Sequence, residues 1–434
     1  MARTAAELPK GERITDYISL GVLAKAFPKE RIRSVLSATG KTSVRQRDLP
    51  AHVVIYYVIA LALYMQSSYR EVLRCLLEGL QWLHDPSVKV KVAGKSGISQ
   101  ARTRLGWEPL RQLHDEIVRP IAVKATKGAW YRDWRLVSLD GSTLDVADEK
   151  ANEETFGRPG ASRGSSAYPQ IRFVSLVENG THVLFGTRIS AYGTGEITLA
   201  KTVLPGLQEG MLCLADRQFF GFTFWQQALS TGADMLWRIK KNLRLACEKR
   251  LSDGSYLSHI YPSARDWRHK TNGVVVRVID YRLEGVADSE PIYRLATSIL
   301  EAEQAPAQEL AALYHERWEI ETALDELKTH LRGARIVLRS KNTGLGPAGV
   351  LRAFAGSLRH PRAHARSRPQ RGRRPGPPLF PACGARHSPQ TPHLSRRSPL
   401  STEWPFMTAY SMKSCRSGSS PAATDATRAA SSAR

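Results

Sequence analysis

Apolar positions recur at helical spacing through four successive stretches near the start of the chain: SLGVLAKAF, KERIRSVLSAT, HVVIYYVIALALYM and YREVLRCLLEGLQWL. Pro28, Gly40, Pro50 and the Ser67–Ser68 pair interrupt them, so residues from about 13 to 127 predict an all-helical domain. The longest apolar run, Val53 to Met65, is about 13 residues. That is too short to span a bilayer and predicts a buried helix. A shorter helix is predicted over SGISQARTRLG, with Ser96 as its cap and Gly106 as its stop. Glu108 to Ala122 continues as a helix into the next domain.

From Trp134 the period changes from helix to strand. RLVSLDGSTLDV, QIRFVSLVENG and THVLFGTRISAYG are three β-rich segments, with Asn179-Gly180 a hairpin turn between the last two. Then GEITLAKTVLPGL (helix), GMLCLADRQFF (strand), FTFWQQALSTG (helix) and ADMLWRIKK (strand) alternate. Three antiparallel strands followed by alternating helix and strand describe a mixed α/β sheet with helices on its faces. Asn242 to about Leu300 is strand-rich again and reads as a β insertion. Beyond it, Leu313 to Gly333 (LYHERWEIETALDELKTHLRG) has no Pro, and no Gly before its end, and predicts one long helix.

Three acids in these elements are candidates for chemistry. Asp140 in LVSLDGS and Asp216 in MLCLADRQF close apolar strands, which points at the strand-end crevice where α/β sites form. Glu321 lies on the long helix in a stripe with Tyr314, Arg317 and Lys328, four residues that fall within roughly 60° of each other on a 3.6-residue helix. Converging carboxylates repel unless cations neutralise them. Two Mg²⁺ ions about 3.5–4 Å apart would do so and act on a phosphodiester, and no His cluster competes for oxygen-seeking metals. Bland readings fit the same residues: strand-end Asp residues are commonly turn groups, and the stripe serves equally as a solvated face. Asp325, one turn from Glu321, is as well placed on spacing alone.

Charge adds a partner. The net charge of +23 points to a polyanion such as nucleic acid. It is uneven: residues from Lys341 onward carry 16 Lys and Arg against 2 Asp and Glu, whereas the preceding part is only mildly basic at +9. Gln100, Arg102 and Arg104 suit phosphate or base-edge contact, and a basic surface helix accounts for them equally. Five scattered cysteines without a CxxC pair argue against zinc and disulfides. With no apolar signal core, a cytoplasmic protein is expected.

Tyr314, Arg317, Glu321 and Lys328 reproduce in full the Y-R-E-K signature of the insertion element 4 family of DDE transposases, which this chain resembles. Asp140 in LDGS and Asp216 in ADRQFF match the family's first two acids, and the helical start and the β insertion match as well. The resemblance covers residues from about 13 to 340 and implies a ribonuclease-H-like catalytic core over 128–341, with its insertion at about 242–300, behind a helical DNA-binding domain over 13–127. It implies that Asp140, Asp216 and Glu321 hold two Mg²⁺ ions, with Mn²⁺ as a substitute. Tyr314, Arg317 and Lys328 would contact phosphates at the transposon end. Arg217 is a further phosphate candidate, and a salt bridge explains it equally. Trp267 in the insertion is a candidate for stacking on a flipped base, although a core Trp is the reading favoured here. Partners would be double-stranded DNA, both terminal inverted repeats and target, bound by a homodimer without a membrane. A two-metal nuclease, or a DNA-binding protein with a dead core, would share much of this sequence.

The tail over 342–434 departs from the family. Its Arg, Pro, Ser, Ala and Gly without apolar periodicity predict disorder, and a basic DNA-binding arm is one reading of it. An out-of-frame translation is the reading favoured here. Codons for NTGLGPAGVLRAFAGSLRHPRAHARS, re-read one base later, permit TPGLVRQEFYGLLLAHYAIRALMHEA, which restores an apolar helix after VLRSK.

Overall fold

The computed structural model describes residues 20–44, 49–63, 68–82, 93–161, 164–165, 168–240, 243, 245–283, 292–325, 338 and 410–412. Six helices come first: α1 (Leu20–Ala26), α2 (Lys29–Ala38), α3 (Ala51–Leu63), α4 (Tyr69–Trp82), α5 (Lys95–Leu105) and α6 (Glu108–Ile117). The apolar run is α3. It is hydrophobic nearly all round because it is buried by its neighbours, with Ile55, Tyr57 and Ile59 in the interior. Among the described residues no helix is long and apolar enough to cross a membrane. Helix α5 begins after Gly94 with no side-chain cap, so Ser96 lies inside it; Gly106 stops it as expected, at φ 70°. Helix α6 ends at Ile117, short of Ala122. Beyond it the N–H groups of Ile121 and Ala122 donate to Glu178 Oε2 instead of continuing the helix.

The strands that follow are β1 (Trp130–Tyr131) and β2 (Trp134–Asp145), then helix α7 (Lys150–Phe156) and the small hairpin β3 (Gly160–Ala161) and β4 (Gly164–Ser165). Next come β5 (Gln170–Glu178), β6 (Val183–Ala191), α8 (Glu196–Lys201), β7 (Met211–Ala215), α9 (Phe222–Leu229) and β8 (Asp234–Arg238). Strands β2, β5 and β6 form an antiparallel meander, and β7 and β8 run parallel to β2, in the order β6-β5-β2-β7-β8. This is ribonuclease-H-like topology. The β5–β6 turn holds Gly180 at φ 77°, where a Cβ would lie 2.4 Å from the Lys127 carbonyl oxygen, so only glycine fits.

The β insertion contains β9 (Lys249–Arg250), β10 (Tyr256–Ile260), α10 (Ala264–His269), β11 (Val274–Leu283) and β12 (Tyr293–Thr297). Strand β12 pairs antiparallel with β8, so the insertion prolongs the main sheet, which has 11 strands among the described residues. Helices α11 (Ala307–Tyr314) and α12 (Trp318–Asp325) return to the core, and β13 (Tyr410–Met412) pairs with the end of β11. Apart from β13, the tail expected to be disordered or out of frame lies outside the described residues.

Period-two alternation sorts the core into layers. Leu136, Leu212, Leu214 and Leu236 face α11 through Leu310 and Leu313. Val137, Leu139, Cys213 and Trp237 face α8 and α9 through Leu199, Phe224 and Trp225. A third cluster joins the N-terminal helices to Ile171 and Phe173 of β5 and to Ile320 and Leu324 of α12. The single long helix expected from Leu313 is interrupted. A turn of 3-10 helix, His315–Arg317, separates α11 from α12, and residues 326–333 lie outside the described residues.

Candidate active site

Parallel pairing of β2 with β7 ends at Leu139 and Ala215. Asp140 is therefore not at the end of its strand, as the sequence suggested. β2 runs on to Asp145 paired with β5, Leu338 meets its far end at Asp145 and Val146, and before that point the loss of β7 beyond Ala215 opens a crevice beside Asp140. Asp216 is the first residue past β7, so both acids leave neighbouring parallel strands at one level.

The third element comes from α12 and the tight turn before it. In 3-10 geometry residues i and i+3 eclipse, which lines up Tyr314 with Arg317 over the sheet end. The Tyr314 hydroxyl donates to the Ala215 carbonyl at 3.2 Å, fastening the end of α11 to the last residue of β7. Arg317 Nη1 lies 3.7 Å from Asp140 Oδ2, and its Nη2 donates to Glu321 Oε1 at 3.1 Å. Arg317 and Tyr314 also feel the charge of Asp216. Two of the three predicted acids thus meet one guanidinium, and the charge of the third is felt there.

Burial pushes the Asp140 carboxyl up to about 6; the Gly141 amide, donating at 2.8 Å, and Arg317 oppose that push, while Glu196 and Glu321 add to it. Burial also lifts the Tyr314 phenol well above its ordinary range. For Arg317 burial acts downward, but Tyr314 and the surrounding acids outweigh it and hold the guanidinium more firmly protonated than usual.

Glu196, the first residue of α8, was missed in the sequence, where an acid in the first turn of a helix needs no special explanation. Its Oε1 sits 2.1 Å from where a Cβ of Gly141 would be. Burial raises its carboxyl, Arg172 lowers it and Asp216 raises it further. Only the folding of α8 over β5 brings it here, and no spacing in the chain signals that.

The donor set is all carboxylate oxygen, which fits a hard divalent cation. Among the described residues no three His, Cys, Asp or Glu side chains converge closely enough to share an ion as they stand, with the Arg317 guanidinium between Asp140 and Glu321.

The other predicted residues fall as follows. Arg217 is exposed, and its amide donates to Asp216 Oδ1. Lys328 lies outside the described residues, as does the side chain of Asp325. Arg102 is half-buried over the Tyr69 ring at 5.2 Å, while Gln100 and Arg104 are exposed on the same helix. Trp267 is not a core residue: it is 52% exposed on α10, with the Lys270 ammonium 5.2 Å from its ring centroid.

The profile of the insertion element 4 transposase N-terminal family matches residues 17–115, which hold nearly all of the six helices, and that of the transposase DDE domain matches residues 132–343, the sheet with its crevice. The chain belongs to the insertion element 4 family of DDE transposases. Transposase InsG for insertion sequence element IS4 of Escherichia coli K12 is 26% identical over 75% of this chain and 73% of its own length. Putative transposase InsZ of the same strain is 24% identical over 53% of this chain and 74% of its own. A cryo-EM structure of the piggyBac transposase synaptic complex with hairpin DNA covers 80% of this chain and 75% of its own at a TM-score of 0.41 and 12% identity, too loose a likeness to bear on the argument. As a DDE transposase the chain is a DNA-acting enzyme whose domain depends on divalent metal.

Proposed function

We propose that the chain cleaves the ends of its own insertion sequence and joins them to target DNA, with Asp140, Asp216 and Glu321 holding two Mg²⁺ ions, for which Mn²⁺ substitutes. The observation that carries this is the placement of Arg317 against Asp140 and Glu321 beside the end of β7, where β2 runs on without it. When bound, two such ions activate the attacking oxygen and stabilise the leaving oxygen of a phosphodiester. Arg317 neutralises Asp140 and Glu321 while no cation is present, and turns to a DNA phosphate when one is. Tyr314 acts from its buried hydroxyl by keeping α11 against β7, since a phosphate contact would cost it the bond to Ala215. Lys328 and Arg217 are further phosphate contacts. Gln100 and Arg104 read the terminal inverted repeat from the exposed face of α5, and Arg102 steadies that helix on Tyr69. The active species is a homodimer on paired ends, working in the cytoplasm.

A terminal-repeat duplex incubated with the protein and Mg²⁺ separates the readings. Joined products support a transposase, cleaved products alone a nuclease, and a bound duplex left intact a DNA-binding protein with a dead core. We also propose that residues 342–434 are an out-of-frame translation. Supporting this, the DDE match stops at residue 343, within two residues of Lys341, where the basic tail begins. Sequencing the gene tests it: a stop codon in the one-base-later frame between codons 342 and 367 rules it out.

A further inference from the structure

Helix α11 leads to Arg317, and its start is held from outside. The N-cap is Pro306, which makes no side-chain capping bond. Instead Asp253, in the turn between β9 and β10 of the insertion, accepts the Ala307 amide at Oδ2 at 2.7 Å from 54 residues away. The same oxygen meets Arg277 of β11, while Asp253 Oδ1 takes the Ser255 amide at 3.1 Å. Arg277 is fully buried, and period-two alternation sets it on the α11 face of the sheet with Ile279 and Tyr281. Its Nη1 donates to the carbonyls of Ile299, Glu301 and Ala305 at 3.4, 3.2 and 2.8 Å, and its Nε donates to Ser255 Oγ at 2.8 Å. One guanidinium thus gathers the chain that connects β12 to α11. The bond from Ala307 runs along the helix axis, because the first N–H groups of a helix point out of its end. Tyr131 and Arg132 hold Glu309 from the side, at 2.7 and 3.0 Å. Leu310, Ala311 and Leu313 pack α11 on the sheet, and such apolar contact has no preferred direction along the axis. The axial position of α11 is therefore set by two hydrogen bonds, Ala307 to Asp253 at its start and Tyr314 to Ala215 at its end.

From this geometry we infer that Asp253 and Arg277 are positioning residues for the crevice: through the first amide of α11 they set the height at which Arg317 and Glu321 stand over Asp140. The inference rests on the reading of Arg317 and Glu321 as parts of the active site. A slip of α11 along its axis would carry Arg317 Nη1 away from Asp140 Oδ2, which it now approaches to 3.7 Å. Misplacement by about 1 Å, caused far from the chemistry, is enough to slow a reaction on the order of 100-fold. The insertion thereby takes part in the reaction without entering the crevice.

The test is a double-mutant cycle on the melting temperature of the full chain, in chelator at about pH 7.5. Asp140→Asn is placed in the parent and in Asp253→Asn, Asp253→Glu and Asp280→Asn. Asp253 and Asp140 share no bonding partner, so a purely structural Asp253 leaves the gain from Asp140→Asn unchanged. A positioning Asp253 does not. With α11 free to slip, Arg317 no longer compensates Asp140, and removing that charge should raise the melting temperature by at least about 2 °C more than in the parent. Asp280→Asn breaks an ion pair that joins β11 to β12 at 2.7 Å, and should leave the gain as in the parent. Asp253→Asn strands a buried guanidinium. If it does not fold, Asp253→Glu decides by the same criterion, since it keeps the charge and pushes the carboxylate one methylene past the Ala307 amide. Equal gains in the parent and the Asp253 variants overturn the inference. So does an enlarged gain in Asp280→Asn too, which marks a general loosening of the insertion. The cycle needs no cleavage. In single-turnover cleavage of a terminal-repeat duplex, Asp253→Glu should be slower by about 10-fold or more at parental duplex affinity, and a parental rate also overturns the inference. No gain from Asp140→Asn in the parent, or parental cleavage by Glu321→Gln, overturns the underlying reading of the crevice instead.

Discussion

At the scale of single residues, the crevice is a problem of negative charge solved provisionally by one guanidinium. Asp140 carries the clearest mark of it, a carboxyl pushed up to about 6 chiefly by burial. Because that value lies above the ordinary aspartate range, the metal-free folded protein holds its proton more tightly than the unfolded chain does. The resulting stability is present below about pH 4 and is lost as the pH rises to about 6. Asp140→Asn should therefore melt higher than the parent at about pH 7.5 in chelator, by on the order of 2–3 kcal/mol, and the two should converge below about pH 4. Melting curves across that range check it, and parallel curves would refute it. The same variant should lose cleavage while keeping end binding, seen by gel shift. Gly141→Ala addresses the neighbouring gap. The new methyl meets the end of the flexible Glu196 side chain and, at 3.1 Å, Cγ2 of the buried Val174, so we expect a stability cost of about 1–3 kcal/mol and, next to Asp140, a loss of metal-dependent cleavage, measured on a pre-nicked end. A variant as active as the parent would show that the gap is incidental.

Among elements, the decisive one is the 3-10 turn between α11 and α12. The stripe of Tyr314, Arg317 and Glu321 was legible in the sequence because helical spacing survives a single tightened turn, but Arg317 meets Asp140 because β7 stops at Ala215, not because the strand of Asp140 ends. The turn itself was not legible. LYHERWEIE is a good helix-forming sequence, and only the fastening of Tyr314 to Ala215 and the pull of Asp140 on Arg317 give the tighter winding a reason. Glu196 was hidden for a related cause, since its neighbours come from β2 and β5, which the chain reaches some 20 to 55 residues earlier. Trp267 was misjudged because a tryptophan among strands is usually core, yet it sits on the short helix α10, which buries none of its residues. Tyr314→Phe removes one buried hydrogen bond and should cost about 0.5–1.5 kcal/mol. Chemical denaturation measures this, and amide exchange should quicken in α11 and at the end of β7 together. Faster exchange in α11 alone would mean that the bond does not join them.

For the whole molecule, the N-terminal helices, the sheet and α12 share one apolar cluster, so the helical start and the acid-bearing sheet are not independent lobes. The proposed frame change strikes this arrangement just beyond α12, where the other frame permits an apolar helix. Burying six large apolar side chains is worth about 1.5–3 kcal/mol each before entropy costs, comparable with a domain's net stability of about 5–15 kcal/mol. Removing one base near codon 341 should therefore raise the melting temperature and bring cleavage activity above that of the present chain. An unchanged melting temperature would count against the idea. The seam between β8 and β12 has a mechanical consequence. Three residue pairs of antiparallel ladder, Leu236–Arg238 against Leu295–Thr297, make the insertion and the acid-bearing strands one continuous plate without a hinge. DNA pressing on the outer strands would twist the floor beneath Asp216 rather than swing a flap above it, so a graft of a foreign insertion has to preserve the register of that seam before any of its surface matters.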